Sequence, residues 1–415
     1  LQRTTPMLGV LNVLMEGRRR SESGGTRNVD ALFDKMTAKA RKETDTTGLV
    51  LSEADAEIME SLRFLLHCWA ATPALSGVGW RSAKDMVAAR IANLLTVRRL
   101  QAQHPQVRDE VIERPIFVLG LPRTATTLTQ HIIAGSDAAR APYLWEMYYL
   151  GLEPTPEERE RRIRQTQKRL DMTLLLSKSW TTIHPTNAEW PEEDYWLKFH
   201  ATFHTTVAPL PGYLDWYRQS YDRDTDFRFV RDALQVLQAG RPHRRWVLKH
   251  PGNIFNLDSI LRVFPDAQIV LTHRDPNTVM SSLCSMVESL YSIHLKRGAV
   301  DPKEIGRFWL RELADGMEEC RRVRAASGRP GRFIDVKYHR LTGSPHTAVP
   351  DLFRQLDLPW GPDDEARLEE HLTRTGQGGG RDGVRRHEHS LLGYGLDPSE
   401  VDDAFGSDYM RIATG

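Results

Sequence analysis

Cysteine is scarce. Cys68, Cys284 and Cys320 are the only three in 415 residues, far apart and odd in number. That excludes a disulfide framework and any CxxC zinc or redox motif, and it fits a reducing cytosol. No apolar run is long enough to cross a bilayer, and no leader pattern is visible. The expectation is a cytoplasmic protein without a transmembrane segment. An excess of one charge is also missing: 56 basic and 55 acidic residues leave a formal net charge of +1. Global charge therefore gives no reason to expect nucleic acid or an anionic membrane as partner, and any anion site must be a local cluster. Internal repeats and long low-complexity stretches are absent too.

Hydrophobic residues at 40% and charged residues at 27% suit a globular enzyme. Residues 1–27 end in "EGRRRSESGGTR" and read as a loose surface segment. Three helical patterns follow near 29–43, 55–71 and 82–103; in the third, Met86, Val87, Ile91, Leu94 and Leu95 recur at helical spacing. The character changes at Pro115. "IFVLG", "RWVLK", "AQIVLTH" and "RFIDVKY" are short buried-strand patterns, each followed by a helical one. Such alternation implies a parallel sheet covered on both faces. The expected fold is α/β, a P-loop-like parallel sheet flanked by helices. A helical segment over 1–110 precedes a domain over 111–415, with a helical insert at about 155–240 covering the functional edge. In such sheets ligands bind beyond the carboxyl ends of the strands.

The first strand runs into a bare turn, "GLPRTATTL", and then a helix. Backbone N–H groups at such a turn, next to a positive helix end, suit phosphate. The turn is neither a Walker A loop nor a G-x-G-x-x-G fingerprint. It offers one cation, Arg123, the hydroxyls of Thr124, Thr126 and Thr127, and the backbone of Ala125 and Leu128. A plain helix N-cap explains the threonines equally well. The second stretch, "VLTHRDPNTVMSSL", puts Arg274 at a strand end and Ser281 and Ser282 on the next helix. An Arg with a hydroxyl suits a second phosphate. Its bland alternative is an Arg274–Asp275 pair with Ser282 merely small. Two such strand-end motifs suggest a ligand with two separate phosphates.

Together these stretches resemble the sulfotransferases that use 3′-phosphoadenosine 5′-phosphosulfate (PAPS). "PRTATT" is similar to that family's 5′-phosphosulfate loop, and Arg274 with Ser282 to its 3′-phosphate motif. "WVLKHP", "VKYHRL" before a helix, "LDLPW" and, more weakly, "HEHSLLGYGL" extend the likeness, which is strongest to a bacterial branch with an "LWEM" segment. One departure stands out: Ala125 replaces the family's Gly, so a positive φ there would cost stability.

The resemblance implies transfer of a sulfuryl group from PAPS to a hydroxyl or amine, leaving adenosine 3′,5′-bisphosphate, with no metal required. Arg123 and Lys249 would stabilise charge on the leaving phosphate and the sulfuryl oxygens. Two bases stand open, Glu146 of "LWEM", ranked first, and His250 beside Lys249. Tyr338 would lie near the adenine, and Arg385 and Arg386 would close over the 3′-phosphate. His200 and His204 in "HATFH" are expected to share a helix face, without the third ligand that a metal needs. The Trp- and His-rich insert suggests a partly apolar pocket for a small-molecule or lipid-like acceptor such as a natural product. Self-association is compatible with all of this. The competing readings are a P-loop-type nucleotide kinase or phosphotransferase, and a nucleotide-binding protein without catalysis.

Overall fold

The computed structural model describes residues 4–177, 184–375 and 390–414. Four helices come first: α1 (Pro6–Ser23), α2 (Thr26–Glu43), α3 (Glu53–Ala70) and α4 (Gly77–Gln103). Helix α1 corrects the expectation of a loose segment. Its polar end is helical because Arg18 pairs with Glu22, and Arg19 with Glu16, at helical spacing. Its inner face also docks on α4: Asn12 Oδ1 accepts from Val78 N at 2.9 Å, and Glu22 meets Trp80 and Lys84.

Five parallel strands follow in the order β2-β3-β1-β4-β5. They are β1 (Ile116–Gly120), β2 (Ala139–Arg140), β3 (Arg245–Lys249), β4 (Gln268–His273) and β5 (Phe333–Lys337). The two-residue β2 is too short to leave a periodic signal in the sequence. Helix α5 (Thr126–Ala134) follows β1 directly. Between β2 and β3 lie α6 (Leu144–Tyr148), α7 (Pro156–Leu176), α8 (Tyr213–Gln219) and α9 (Asp224–Gln238). The middle of that insert, 184–212, is loop and short 3-10 turns rather than helix. Helix α10 (Leu257–Val263) precedes β4, and α11 (Pro276–His294) and α12 (Pro302–Ala326) precede β5. Then come α13 (Tyr338–Gly343), α14 (Pro345–Gln355), α15 (Pro362–Thr375) and α16 (Pro398–Thr414).

The strands read as unbroken apolar runs because both of their faces are buried. Phe117 and Leu119 of β1 join a core that continues through Leu248 and Leu271 into Trp69, Ile91 and Phe33 of the leading helices. Ile116 and Val118 face the other way, into a second cluster with Ile133, Val349, Phe353 and Leu368. Each such side chain contributes about 1.5–3 kcal/mol of burial. From β1 the chain leaves toward β3 and β2; from β4 it leaves toward β5. The carboxyl ends of β1 and β4 therefore flank the crevice where the connections diverge, the usual ligand site of an open parallel sheet.

Candidate active site

The turn after β1 begins with a close approach. Gly120 has φ +144°, and a Cβ there would lie 2.5 Å from Thr272 O of β4. Beyond it, Arg123 and Ala125 both take positive φ, +67° and +71°. Ala125 thus occupies the left-handed conformation for which glycine is best suited, at a cost of about 1–2 kcal/mol. It is the N-cap of α5 and supplies no side-chain cap. Left-handed residues alternating in a turn gather backbone N–H groups into an anion-binding concavity.

The threonines divide. Thr124 is buried; its hydroxyl donates to Leu121 O at 2.6 Å and shares a 2.5 Å hydrogen bond with Thr272 Oγ1. In this structure the hydroxyl ties the turn to β4. Thr126, buried, and Thr127, half-buried, sit in the first turn of α5, followed by buried Leu128.

The second motif meets the first. Arg123 Nε donates to Ser282 Oγ at 3.1 Å, and Arg274 Nη1 donates to Arg123 O at 2.9 Å. The Arg274 guanidinium lies over the Tyr338 ring, 3.9 Å from its centroid. Four residues singled out separately in the sequence, Arg123, Arg274, Ser282 and Tyr338, thus form one cluster. Burial and then the Arg274 charge push the Arg123 guanidinium below its usual range. The two other polar residues have local roles. Asp275 caps α11 by accepting from the backbone N–H of Asn277 and Thr278, and Ser281 Oγ donates to Thr278 O. Tyr409 on α16 donates to Arg274 O at 3.3 Å, a support that the sequence reading missed.

Lys249 ends β3, one strand over, and His250 follows it; each is 1% exposed. Both bind a residue that the sequence reading passed over. Glu193 Oε1 accepts from Lys249 Nζ at 2.9 Å, and Glu193 Oε2 contacts His250 Nδ1 at 2.7 Å. Burial would raise the Glu193 carboxyl; the Lys249 charge, with His250, outweighs it and holds the group well below the usual range. Burial and then the Lys198 charge push His250 down, against Glu193, which raises it. Its Nε2 is buried with no hydrogen-bond partner among the described residues. Phe203 stands edge-on to the imidazole, with ring centroids 4.9 Å apart, and Tyr195 lies at 5.6 Å. The insert brings Glu193 here by pairing with the segment before α6: Glu192 N donates to Pro142 O and Leu144 N to Trp190 O. The signal was the acidic pair in "WPEEDYW", whose aromatics drew the attention instead.

Glu146, ranked first as base, is elsewhere engaged. Its oxygens accept from Arg140 Nη2 at 2.9 and 3.1 Å, from Arg241 Nη1 at 3.3 Å and from Tyr143 N at 3.0 Å. The carboxylate joins two guanidiniums and closes the capping box of α6. That geometry is an ion pair and a helix cap. His200 and His204 are fully buried, and His200 lies outside the short 3-10 turn of Thr202–Thr206. They bond Ser61 Oγ and Tyr195 Oη, so they are core residues, not a shared helix face. Arg385 and Arg386 lie outside the described residues.

The sulfotransferase family model matches residues 115–362. The chain belongs to the sulfotransferase family. It is 26% identical over 277 residues to the omega-hydroxy-beta-dihydromenaquinone-9 sulfotransferase Stf3 of Mycobacterium bovis, covering 61% of this chain and 65% of that protein. It is 25% identical over 325 residues to an uncharacterized protein of Aquifex aeolicus, covering 77% of this chain and 33% of that protein. The chain thus spans less than two thirds of these relatives. Among solved structures, the sulfotransferase STF1 of Mycobacterium tuberculosis matches with TM-score 0.75 and 26% identity over 90% of this chain and 97% of that one. STF9 of Mycobacterium avium shares the fold, with TM-score 0.78 and 23% identity.

Proposed function

We propose that this sulfotransferase takes its sulfuryl group from PAPS and transfers it to a hydroxyl, or an amine, of a small-molecule or lipid-like acceptor. The observation that carries this reading is the Arg123–Ser282 and Arg274–Arg123 contact, which sets two phosphate-type motifs side by side at the carboxyl ends of β1 and β4. The donor set fits a 3′,5′-substituted nucleotide. The left-handed turn and the Arg123 guanidinium suit the 5′ end; Arg274 and the Ser282 hydroxyl suit the 3′-phosphate. Tyr338, already stacked by Arg274, offers a face for the base.

PAPS, when bound, supplies an activated sulfuryl group on a good leaving phosphate. The chain's part is to align and to stabilise charge. Arg123 would meet the leaving phosphate as a fixed cation. Lys249, held by Glu193, stands at the neighbouring strand end for the sulfuryl oxygens. His250 is our base. With Nδ1–H donated to Glu193, the Nε2 lone pair is left to take the acceptor's proton, the arrangement of a carboxylate-oriented imidazole. Phe203 and Tyr195 around it suit an apolar acceptor, and the relative Stf3 is named for a menaquinone derivative. The test is incubation with labelled PAPS and a panel of hydroxylated acceptors, run with a divalent-metal chelator. Transfer to an acceptor that persists in chelator supports the reading. Transfer from ATP instead, abolished by chelator, would replace it with a phosphotransferase.

A further inference from the structure

Ten large hydrophobic side chains are exposed among the described residues, and six of them occupy two helix ends. Met7, Val10, Val13 and Leu14 lie on α1, with Val13 at 78% and Leu14 at 73% exposure; Met172 and Leu175 lie on α7. The two ends adjoin: Thr5 N donates to Leu176 O at 3.0 Å, and Thr5 Oγ1 to Leu175 O at 2.6 Å. This is one patch.

Its pattern is specific. The inner stripe of α1 is spent on the protein. Leu8 is buried with Val78 and Ile293, and Asn12 and Glu22 bond α4. The outer stripe, Met7, Val10 and Leu14 at helical spacing, faces solvent and continues into Arg18 at i+4 from Leu14. Helix α7 repeats this in the opposite chain direction. Leu175 and Met172 are apolar, and exposed Lys168 and Arg164 follow on the same face. Apolar residues thus occupy the middle, where the helix ends meet, with exposed Asp171 beside them; exposed cations lie on both sides, Lys168, Arg18 paired with Glu22 and Arg164 paired with Glu160. Residues 6–15 of α1 carry no charge, while residues 16–22 carry three Arg and two Glu. No described helix is long and apolar enough to cross a membrane. An apolar strip flanked by Lys and Arg is the signature of a helix lying in the headgroup layer.

We infer that this face docks on an anionic lipid bilayer, with the apolar residues of α1 and α7 inserted and Arg18 and Lys168 against the headgroups. The patch is linked to the acceptor side of the site. Ile293 beneath Leu8 belongs to α11, and two residues earlier Tyr291 Oη donates to Thr205 O, in the turn that holds Phe203 against His250. Docking would serve to draw an amphiphilic acceptor from the bilayer, a purpose that rests on the acceptor reading above. Binding to the bilayer is measured without donor or acceptor, so the two readings fail separately.

The experiment is flotation of the full chain with vesicles of phosphatidylcholine alone and of phosphatidylcholine mixed with phosphatidylglycerol. The wild type should float with the mixed vesicles and much less with the neutral ones. Val10→Glu with Leu14→Glu should cut the bound fraction about tenfold or more. Met172→Gln with Leu175→Gln, on the other helix, should do the same if the first pair folds poorly. Val50→Glu, at an exposed apolar residue elsewhere, should bind normally. Titration with adenosine 3′,5′-bisphosphate should be unchanged in every variant. A wild type that stays in solution with both vesicle types would overturn the proposal, as would binding unaffected by either pair. So would a wild-type dimer in sedimentation that becomes monomeric in Val10→Glu/Leu14→Glu while vesicle binding is lacking. The patch would then be a contact between copies.

Discussion

Replacing Glu193 by Gln perturbs the site at the carboxylate shared by Lys249 and His250. The two contacts, 2.9 and 2.7 Å, tie it to Lys249 and His250, each 1% exposed. Gln keeps the shape, and its carbonyl can accept from one partner only. If it serves Lys249, its amide N–H₂ faces His250 Nδ1 and reverses the tautomer, so that Nε2 carries the proton and cannot accept one. Turnover should fall by about 10²–10⁴, the range for loss of an oriented general base. The buried Lys249 charge also loses its counter-ion, which should cost about 3–5 kcal/mol at most. Glu193 raises His250 against burial, so its removal lets the imidazole fall further. The base works when neutral, so turnover falls as pH drops through its pKa. The acidic limb of any residual activity should therefore move to lower pH. The assay is single turnover at saturating donor and acceptor, with bisphosphate binding titrated separately. A folded Glu193→Gln that binds the bisphosphate and turns over within a small factor of wild type would refute the dyad.

Glu146→Gln should do the reverse, since its charge serves Arg140 and Arg241: a loss of about 2–4 kcal/mol in denaturant unfolding, with turnover near wild type at a permissive temperature. Ala125→Gly should stabilise the fold by about 0.5–1 kcal/mol, the left-handed strain relieved less the extra freedom of glycine in the unfolded chain; calorimetry checks the sign. Acid should destabilise the fold before carboxylates titrate broadly. Burial holds His131 and His294 at about 4, and His200 and His204 well below their usual value. The unfolded chain binds those protons near pH 6.5, so this stability is complete above 6.5 and lost as pH falls toward 4, by about 3 kcal/mol per imidazole for a shift of that size. Asp226, raised to about 7 by burial, acts in the opposite sense and is outnumbered. Denaturant midpoints at neutral pH and near pH 5 test the direction.

The strands and their helices were legible because a doubly covered parallel strand is a short apolar run, and β1, β3, β4 and β5 all have that form. Arg123, Arg274 and Ser282 were legible because each sits at a fixed offset from a strand end. Helix α1 was misread because its arginines look disordered until they are paired at i+3 and i+4. Glu193 was invisible for a different reason. It reaches Lys249 and His250 across more than fifty residues, through a segment with no periodicity, and only tertiary pairing with 142–145 puts it there. Glu146 had the right spacing from the phosphate turn, but spacing could not show that Arg140 and Arg241 close on it.

On the reading proposed above, the turns after β1 and β4 form one site for a nucleotide with phosphates at both ends of its ribose. Calorimetric titration of adenosine 3′,5′-bisphosphate and of AMP into the wild type and Arg274→Ala tests it most directly. The bisphosphate should bind the wild type far more tightly than AMP does. Arg274→Ala should erase most of that preference, by about 1.5–3 kcal/mol for a charge-assisted contact, and leave AMP binding nearly unchanged. Equal affinity for the two nucleotides in the wild type, or a preference that survives in Arg274→Ala, would contradict it.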